Sequence, residues 1–115
     1  MKMKEPVYLA GPYRNPDPIQ KRKNILHAIE IAQKFSSMGI EFYSPITEMA
    51  LFDEACPKVS DGFWLSNGMW KLQYCKSIYL MKGWLHSEGS NGELEMAKAW
   101  GLEIYFEEKQ EFQKV

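Results

Sequence analysis

The stretch PVYLAGPYRNPDPIQKRKNILHAIEIAQKFSSMGIEFYSP, residues 6–45, carries three hydropathy patterns in succession. Residues 6–10 are a short β-type run that stops at Gly11 and Pro12, a strong turn signal. Asn15, Pro16, Asp17 and Pro18 then offer a cap and prolines where a helix can begin. From Ile19 to Met38 the apolar residues Ile25, Ala28, Ile29, Ala32, Phe35 and Met38 recur at steps of three and four, which predicts a helix with one apolar face. Gly39 supplies its stop. Ile40 to Tyr43 reads as a second strand, closed by Ser44 and Pro45. A connection of this length between strands favours a parallel pair with a right-handed crossover.

Working outward, Thr47 is expected to cap a short helix through Phe52, with residues 53–60 a loop. A helix is expected over Asp61–Tyr74, with Phe63 or Trp64, Met69 or Trp70, and Leu72 facing inward. Ser77–Met81 is the third strand, Gly83–Gly92 a Gly- and Ser-rich loop, Glu93–Trp100 a helix stopped by Gly101, and Glu103–Phe106 the fourth strand. Residues 107–115 form a charged tail. The expected fold is one α/β domain over residues 1–115, doubly wound, with a mostly parallel sheet of four or five strands and helices on both faces, Rossmann- or flavodoxin-like.

Composition narrows the function classes. The 115 residues are 45% hydrophobic and 25% charged, as in an ordinary globule. The net charge of -1 supplies no basic stripe, so no nucleic-acid polymer is expected as partner. The longest apolar runs are too short to span a membrane, and Met1–Glu5 is charged, with no signal-peptide pattern. Cys56 and Cys75 form no CxxC pair, so reduced thiols in a cytoplasm are expected. Two histidines and two scattered cysteines make no metal constellation.

In doubly wound sheets ligands lie beyond the carboxyl ends of the strands, where the strand order reverses. Three loops reach that edge: residues 11–17, 44–48 and 82–92. Arg14 either presents a fork of donors to a phosphate or carboxylate or is a solvated loop arginine. In the third loop, small residues precede a helix, an arrangement that binds anions, and Ser87 and Ser90 add hydroxyls. Glu93 is expected in the first helical turn. There it either faces a ligand or closes a capping box with Ser90, three residues earlier. Glu95 is expected to face solvent, His27 to be a surface or packing residue, and His86 to be exposed. Trp64, Trp70 and Trp84 read mainly as core, although Trp84 could stack on a flat ring.

Residues 8–14, YLAGPYR, are similar to the opening motif of the nucleoside 2-deoxyribosyltransferase superfamily. Residues 83–97, GWLHSEGSNGELEMA, resemble its second signature, with Ser87, Gly89, Glu93 and Ala97 in register. Ser44-Pro45 and DGFW, residues 61–64, are similar to small phage and bacterial members, and the resemblance spans roughly residues 6–106. It implies cleavage of the N-glycosidic bond of a (deoxy)nucleoside or its 5′-monophosphate, by hydrolysis or base exchange. By resemblance Glu93 is the nucleophile that forms a covalent glycosyl-enzyme, and Tyr8 is a tyrosine whose hydroxyl helps hold it. Ser87 and Arg14 match phosphate contacts, and Gly11 and Gly89 match backbone turns that admit the sugar. Pro12, Tyr13, Asp61, Trp64, Trp84 and Ser90 complete the expected substrate-binding set. The resemblance implies no cofactor, no metal, a homodimer or higher homo-oligomer, and a cytoplasmic setting, the host's for a phage-encoded chain.

Relatives often carry an aspartate at the position of Gly68 that protonates or orients the leaving base, and a second at the position of Lys76. Asp61, Glu48 and Glu88 are candidate replacements for the first. Its loss keeps a second reading open, a binding module that holds a nucleotide or nucleotide-derived signal without turning it over. The short C-terminal segment is also expected to lack the tail with which larger transferases complete a neighbour's site.

Overall fold

The computed structural model describes residues 3–56 and 58–108, with the backbone alone of Asp61. In chain order the elements are β1 (Val7–Ala10), α1 (Pro18–Ser37), β2 (Phe42–Tyr43), α2 (Pro45–Ala55), α3 (Asp61–Leu72), β3 (Ser77–Leu80), a 3-10 turn (Trp84–His86), α4 (Glu88–Ala99) and β4 (Glu103–Phe106). The four strands pair in the order β2-β1-β3-β4, all parallel. From β1 the chain moves to one edge at β2, then returns past β1 to β3 and β4. The order therefore reverses between β1 and β3. This is an α/β doubly wound, Rossmann/flavodoxin-like sheet.

Alternation along the strands builds two cores. Val7 and Leu9 of β1 join Ala28, Ile31 and Phe35 of α1 and Ile46 of α2 on one face. Tyr8 and Ala10 join Ile78 and Leu80 of β3, Leu72 of α3, and Leu94 and Ala97 of α4 on the other. The central strands β1 and β3 are buried along their whole length, whereas the edge strands are half-buried. Among the described residues, no helix is long and apolar enough to cross a membrane.

Several boundaries differ from the sequence reading, β2 among them, which begins at Phe42 instead of Ile40. Thr47 is not a cap: α2 begins at Pro45 behind Ser44, and Thr47 Oγ1 donates to the Ser44 carbonyl at 2.9 Å. Proline at the first helical position has the right φ already, and the helix runs on through Asp53 to Ala55. The difference at α4 is larger. Helix α4 begins at Glu88 instead of Glu93, and its cap is Ser87, whose oxygen accepts from the Ser90 N–H at 3.2 Å. Gly83, at φ +90°, turns the chain from β3 into the 3-10 turn that precedes it. Gly89, Ser90 and Gly92 have a loop-like composition, but packing of the buried Ser90, Leu94 and Ala97 face keeps them helical.

Helix α3 ends at Leu72, short of Tyr74. Trp64 is buried and Phe63 exposed, and Met69 packs inward while Trp70 stays exposed. The charged tail beyond residue 108 lies outside the described residues.

The cap assignment separates two serines. Ser87→Ala is expected to cost about 1 kcal/mol in denaturant unfolding. Ser90→Ala is expected to cost nothing or to stabilise, because the Ser90 hydroxyl is buried without a partner. The reverse order would mean that Ser90 is the cap.

Candidate active site

At the reversal between β1 and β3, the segments leaving both strands part and open a cavity of about 1100 Å³. The β1 exit supplies Gly11 to Asn15, and the β3 exit supplies Met81 to Gly83 and His86 to Ser90. Tyr8 and Glu93 stand at its floor.

Tyr8 is fully buried, and its hydroxyl donates to Glu93 Oε2. The strand pleat points Tyr8 toward α4, and Ser90, Glu93, Leu94 and Ala97 share one helical face, so Glu93 points back at the sheet. Burial pushes the Glu93 carboxyl up to about 7, against the Tyr8 hydrogen bond, which lowers it. Both protonation states are therefore populated near neutral pH. Burial first, then the neighbouring carboxylate, holds the Tyr8 phenol well above its ordinary value, so Tyr8 remains the donor. In the second turn of α4, Glu93 is no capping-box residue, and that explanation of it falls away.

Gly68 of α3 faces this pair. A Cβ there would lie 2.7 Å from Tyr8 Oη and 3.7 Å from Glu93 Oε2. Any larger residue would force the Tyr8 ring to move.

The mouth is polar. Gln20, Lys23, Asn24 and His27 fall on one face of α1 and line it, opposite Lys82 and the start of α4. His27 Nε2 lies 2.8 Å from Glu107 Oε1, which also accepts from the Lys82 backbone N–H at 2.8 Å. This ties α1 and the β3 exit to the end of β4. Arg14 Nη1 lies 3.1 Å from Asp53 Oδ2, and the Tyr13 hydroxyl donates to the same carboxylate. Desolvation would raise the Asp53 carboxyl, but the Tyr13 hydrogen bond and the Arg14 guanidinium outweigh it and hold Asp53 below the usual range.

Of the residues anticipated from sequence, Tyr8, Gly11, Pro12, Tyr13, Arg14, Trp64, Ser87, Gly89, Ser90 and Glu93 line this one cavity. Gly11 is held by packing, since its Cβ would meet Met81 Cε at 2.8 Å. Trp84 does not reach the wall: it is buried against Phe106, ring centroids 5.4 Å apart, so its expected stacking on a ligand is corrected. The Asp61 side chain lies outside the described residues. Glu48 accepts from Tyr43 at 2.7 Å and from Asn67 and Lys71, each at 3.2 Å, and is not on the cavity wall. Glu88 lines the mouth and is exposed. His86, also exposed, lines it too.

Sequence reading missed Asp53 and the polar stripe of α1. Both were legible as periodicity: Ile46, Met49, Ala50 and Asp53 recur at three and four, as do Gln20, Lys23, Asn24 and His27. Among the described residues, no group of three or more His, Cys, Asp or Glu could hold a metal ion.

The chain belongs to the family described as a domain of unknown function (DUF4406), whose model matches residues 5–106. No curated protein matches it. The matched span contains the whole sheet, the Tyr8–Glu93 pair and every cavity residue named above.

Two outcomes are expected. Gly68→Ala should displace the Tyr8 hydroxyl and remove the bond that lowers Glu93, so a carboxyl NMR titration should place Glu93 higher than in the parent chain. An unchanged titration would mean that Tyr8 does not hold Glu93. The second concerns stability. The folded value of about 7 exceeds the ordinary 4.5, so the folded chain binds this proton more tightly than the unfolded chain. Stability from this group is full below pH 4.5 and is lost as pH rises to about 7, a change of up to about 3 kcal/mol. Glu93→Gln should therefore melt at a higher temperature than the parent at pH 8 and at a similar one near pH 4.5. A lower melting temperature at pH 8 would contradict the cost of burial.

Proposed function

We propose that this chain cleaves the N-glycosidic bond of a nucleoside 5′-monophosphate through a covalent glycosyl-Glu93 ester, with water or a second base as acceptor. The observation that carries the reading is a partly buried carboxylate, held by a buried tyrosine, at the floor of a cavity whose mouth is suited to an anion. A carboxylate in that position can attack an oxocarbenium-like anomeric carbon and then release it, splitting one hard step into two. Tyr8 fixes which oxygen is engaged and leaves the other for attack.

The phosphate end follows from α4. Glu93 lies five residues beyond Glu88, about 7 Å along the helix from its N-terminus. An anomeric carbon at Glu93 thus leaves the 5′-phosphate near the free N–H groups behind Ser87. Lys23 and Lys82 line the same mouth, and Arg14, already oriented by Asp53, stands beside them. The base then falls toward the apolar wall of Ile46, Met49, Trp64 and Met69.

A homo-oligomer and a cytoplasmic setting belong to the same reading. Exposed Trp70, Tyr74 and Trp100 supply apolar surface for self-association. The binding-only alternative draws on Gly68, where no side chain stands ready to protonate a base.

Glu93→Gln is expected to lower release of free base from nucleoside monophosphates by about 10³-fold or more, with ligand affinity within a few-fold. In the parent chain kcat/KM should rise with pH through about 7 and then level, because the ionised carboxylate is the attacking form. Ligand-induced thermal stabilisation without base release from any nucleotide would favour the binding module. Normal release by Glu93→Gln would remove Glu93 as nucleophile.

A further inference from the structure

The reaction proposed above needs the departing base to leave with the electron pair of the glycosidic bond. A neutral purine or pyrimidine does so poorly unless an acid protonates it. Among the described residues, the base side of the cavity holds no such acid. From α3 it is walled by Gly62, Trp64, Leu65 and Met69, none of which titrates. Gly68, beside the reactive pair, has no side chain at all, and the space its Cβ would take is closed by the Tyr8 hydroxyl.

Among the described residues, the acids that line the cavity are engaged or lie elsewhere. Tyr8 donates to Glu93, and Tyr13 donates to Asp53. His27 lies on α1 against Glu107. His86 and Glu88 are exposed on the segment that enters α4, at the phosphate end. What the base side offers instead is the Trp64 ring with the thioethers of Met49, Met69 and Met81. Aromatic faces and polarisable sulfur favour a flat cation over a neutral ring that seeks hydrogen bonds.

We propose that the substrates are N-glycosides whose base already carries a positive charge conjugated to the glycosidic nitrogen, a pyridinium or an N7-alkylated purinium 5′-monophosphate. The inference rests on the glycosyl-Glu93 reading and specifies its substrate class. A Glu93 oxygen bonds to the anomeric carbon as the carbon–nitrogen bond breaks. The electron pair of that bond neutralises the cationic ring, and the base leaves without gaining a proton. Water then attacks the anomeric carbon, the ester bond breaks, Glu93 regains its carboxylate, and the water's second proton passes to solvent.

The test uses matched pairs that differ in charge. The parent chain and Glu93→Gln are incubated with N7-methylguanosine 5′-monophosphate against guanosine 5′-monophosphate, and with nicotinamide mononucleotide against its uncharged dihydro form. Free base is measured, and each rate is divided by its uncatalysed rate. The expected result is a preference for the cationic member of about 10²- to 10⁴-fold, the usual worth of a general acid, that disappears in Glu93→Gln. Comparable acceleration of both members, lost in Glu93→Gln, overturns the cationic-base inference and leaves the glycosyl-Glu93 reading standing. No acceleration of any member, or acceleration that survives Glu93→Gln, overturns both.

Discussion

The hydrogen bond from Tyr8 to Glu93 joins the central strand to α4, and much of the site is arranged around it. Tyr8 is fully buried, so its hydroxyl must find a partner inside the protein. Glu93 is that partner, and its carboxyl is raised because burial outweighs the stabilising bond. The pair fits only because Gly68 leaves α3 bare where it passes the tyrosine. One glycine thus allows β1, α3 and α4 to converge around a single carboxylate. Its cost is that α3 presents no functional group at that point.

Topology decides what surrounds the pair. Because the strand order reverses between β1 and β3, the segments leaving those strands diverge, and the space between them becomes the cavity. One side is polar, built from the hydrophilic stripe of α1 and the N-terminus of α4. The other is apolar, built from α2 and α3. Two links brace the rim: Glu107 ties His27 to the Lys82 backbone, and Asp53 ties Arg14 and Tyr13 to α2. A ligand with an anionic end and a flat, weakly polar end matches that division, with the reactive carbon between them.

The fold was legible where packing and periodicity agree. The β1–α1–β2 opening and strands β3 and β4 are written in β-type runs and an apolar helical repeat, and there the elements match within a residue or two. Legibility failed where small residues pack inside helices. Gly89, Ser90 and Gly92 read as a loop by composition, yet Leu94 and Ala97 carry that turn into the core as helix. The same masking moved the cap from Ser87 to Ser90 and placed Glu93 one turn too early. Asp53 was missed because a charged residue after Phe52 looked like the end of a helix, although its phase with Ile46 and Met49 points inward. Trp84 stood in a loop on the ligand edge, but Phe106 of β4 claims its ring, a contact no local pattern records.

The central claim is that Glu93 becomes covalently attached to the sugar. Intact-mass and peptide mass spectrometry after incubation with a 2′-fluoro-arabino nucleoside 5′-monophosphate, whose fluorine slows release of the ester, tests it most directly. The account predicts one sugar phosphate, without base, on the peptide containing Glu93, and none on Glu93→Gln. Release of base with no sugar on Glu93, or with the sugar on another residue, would contradict it.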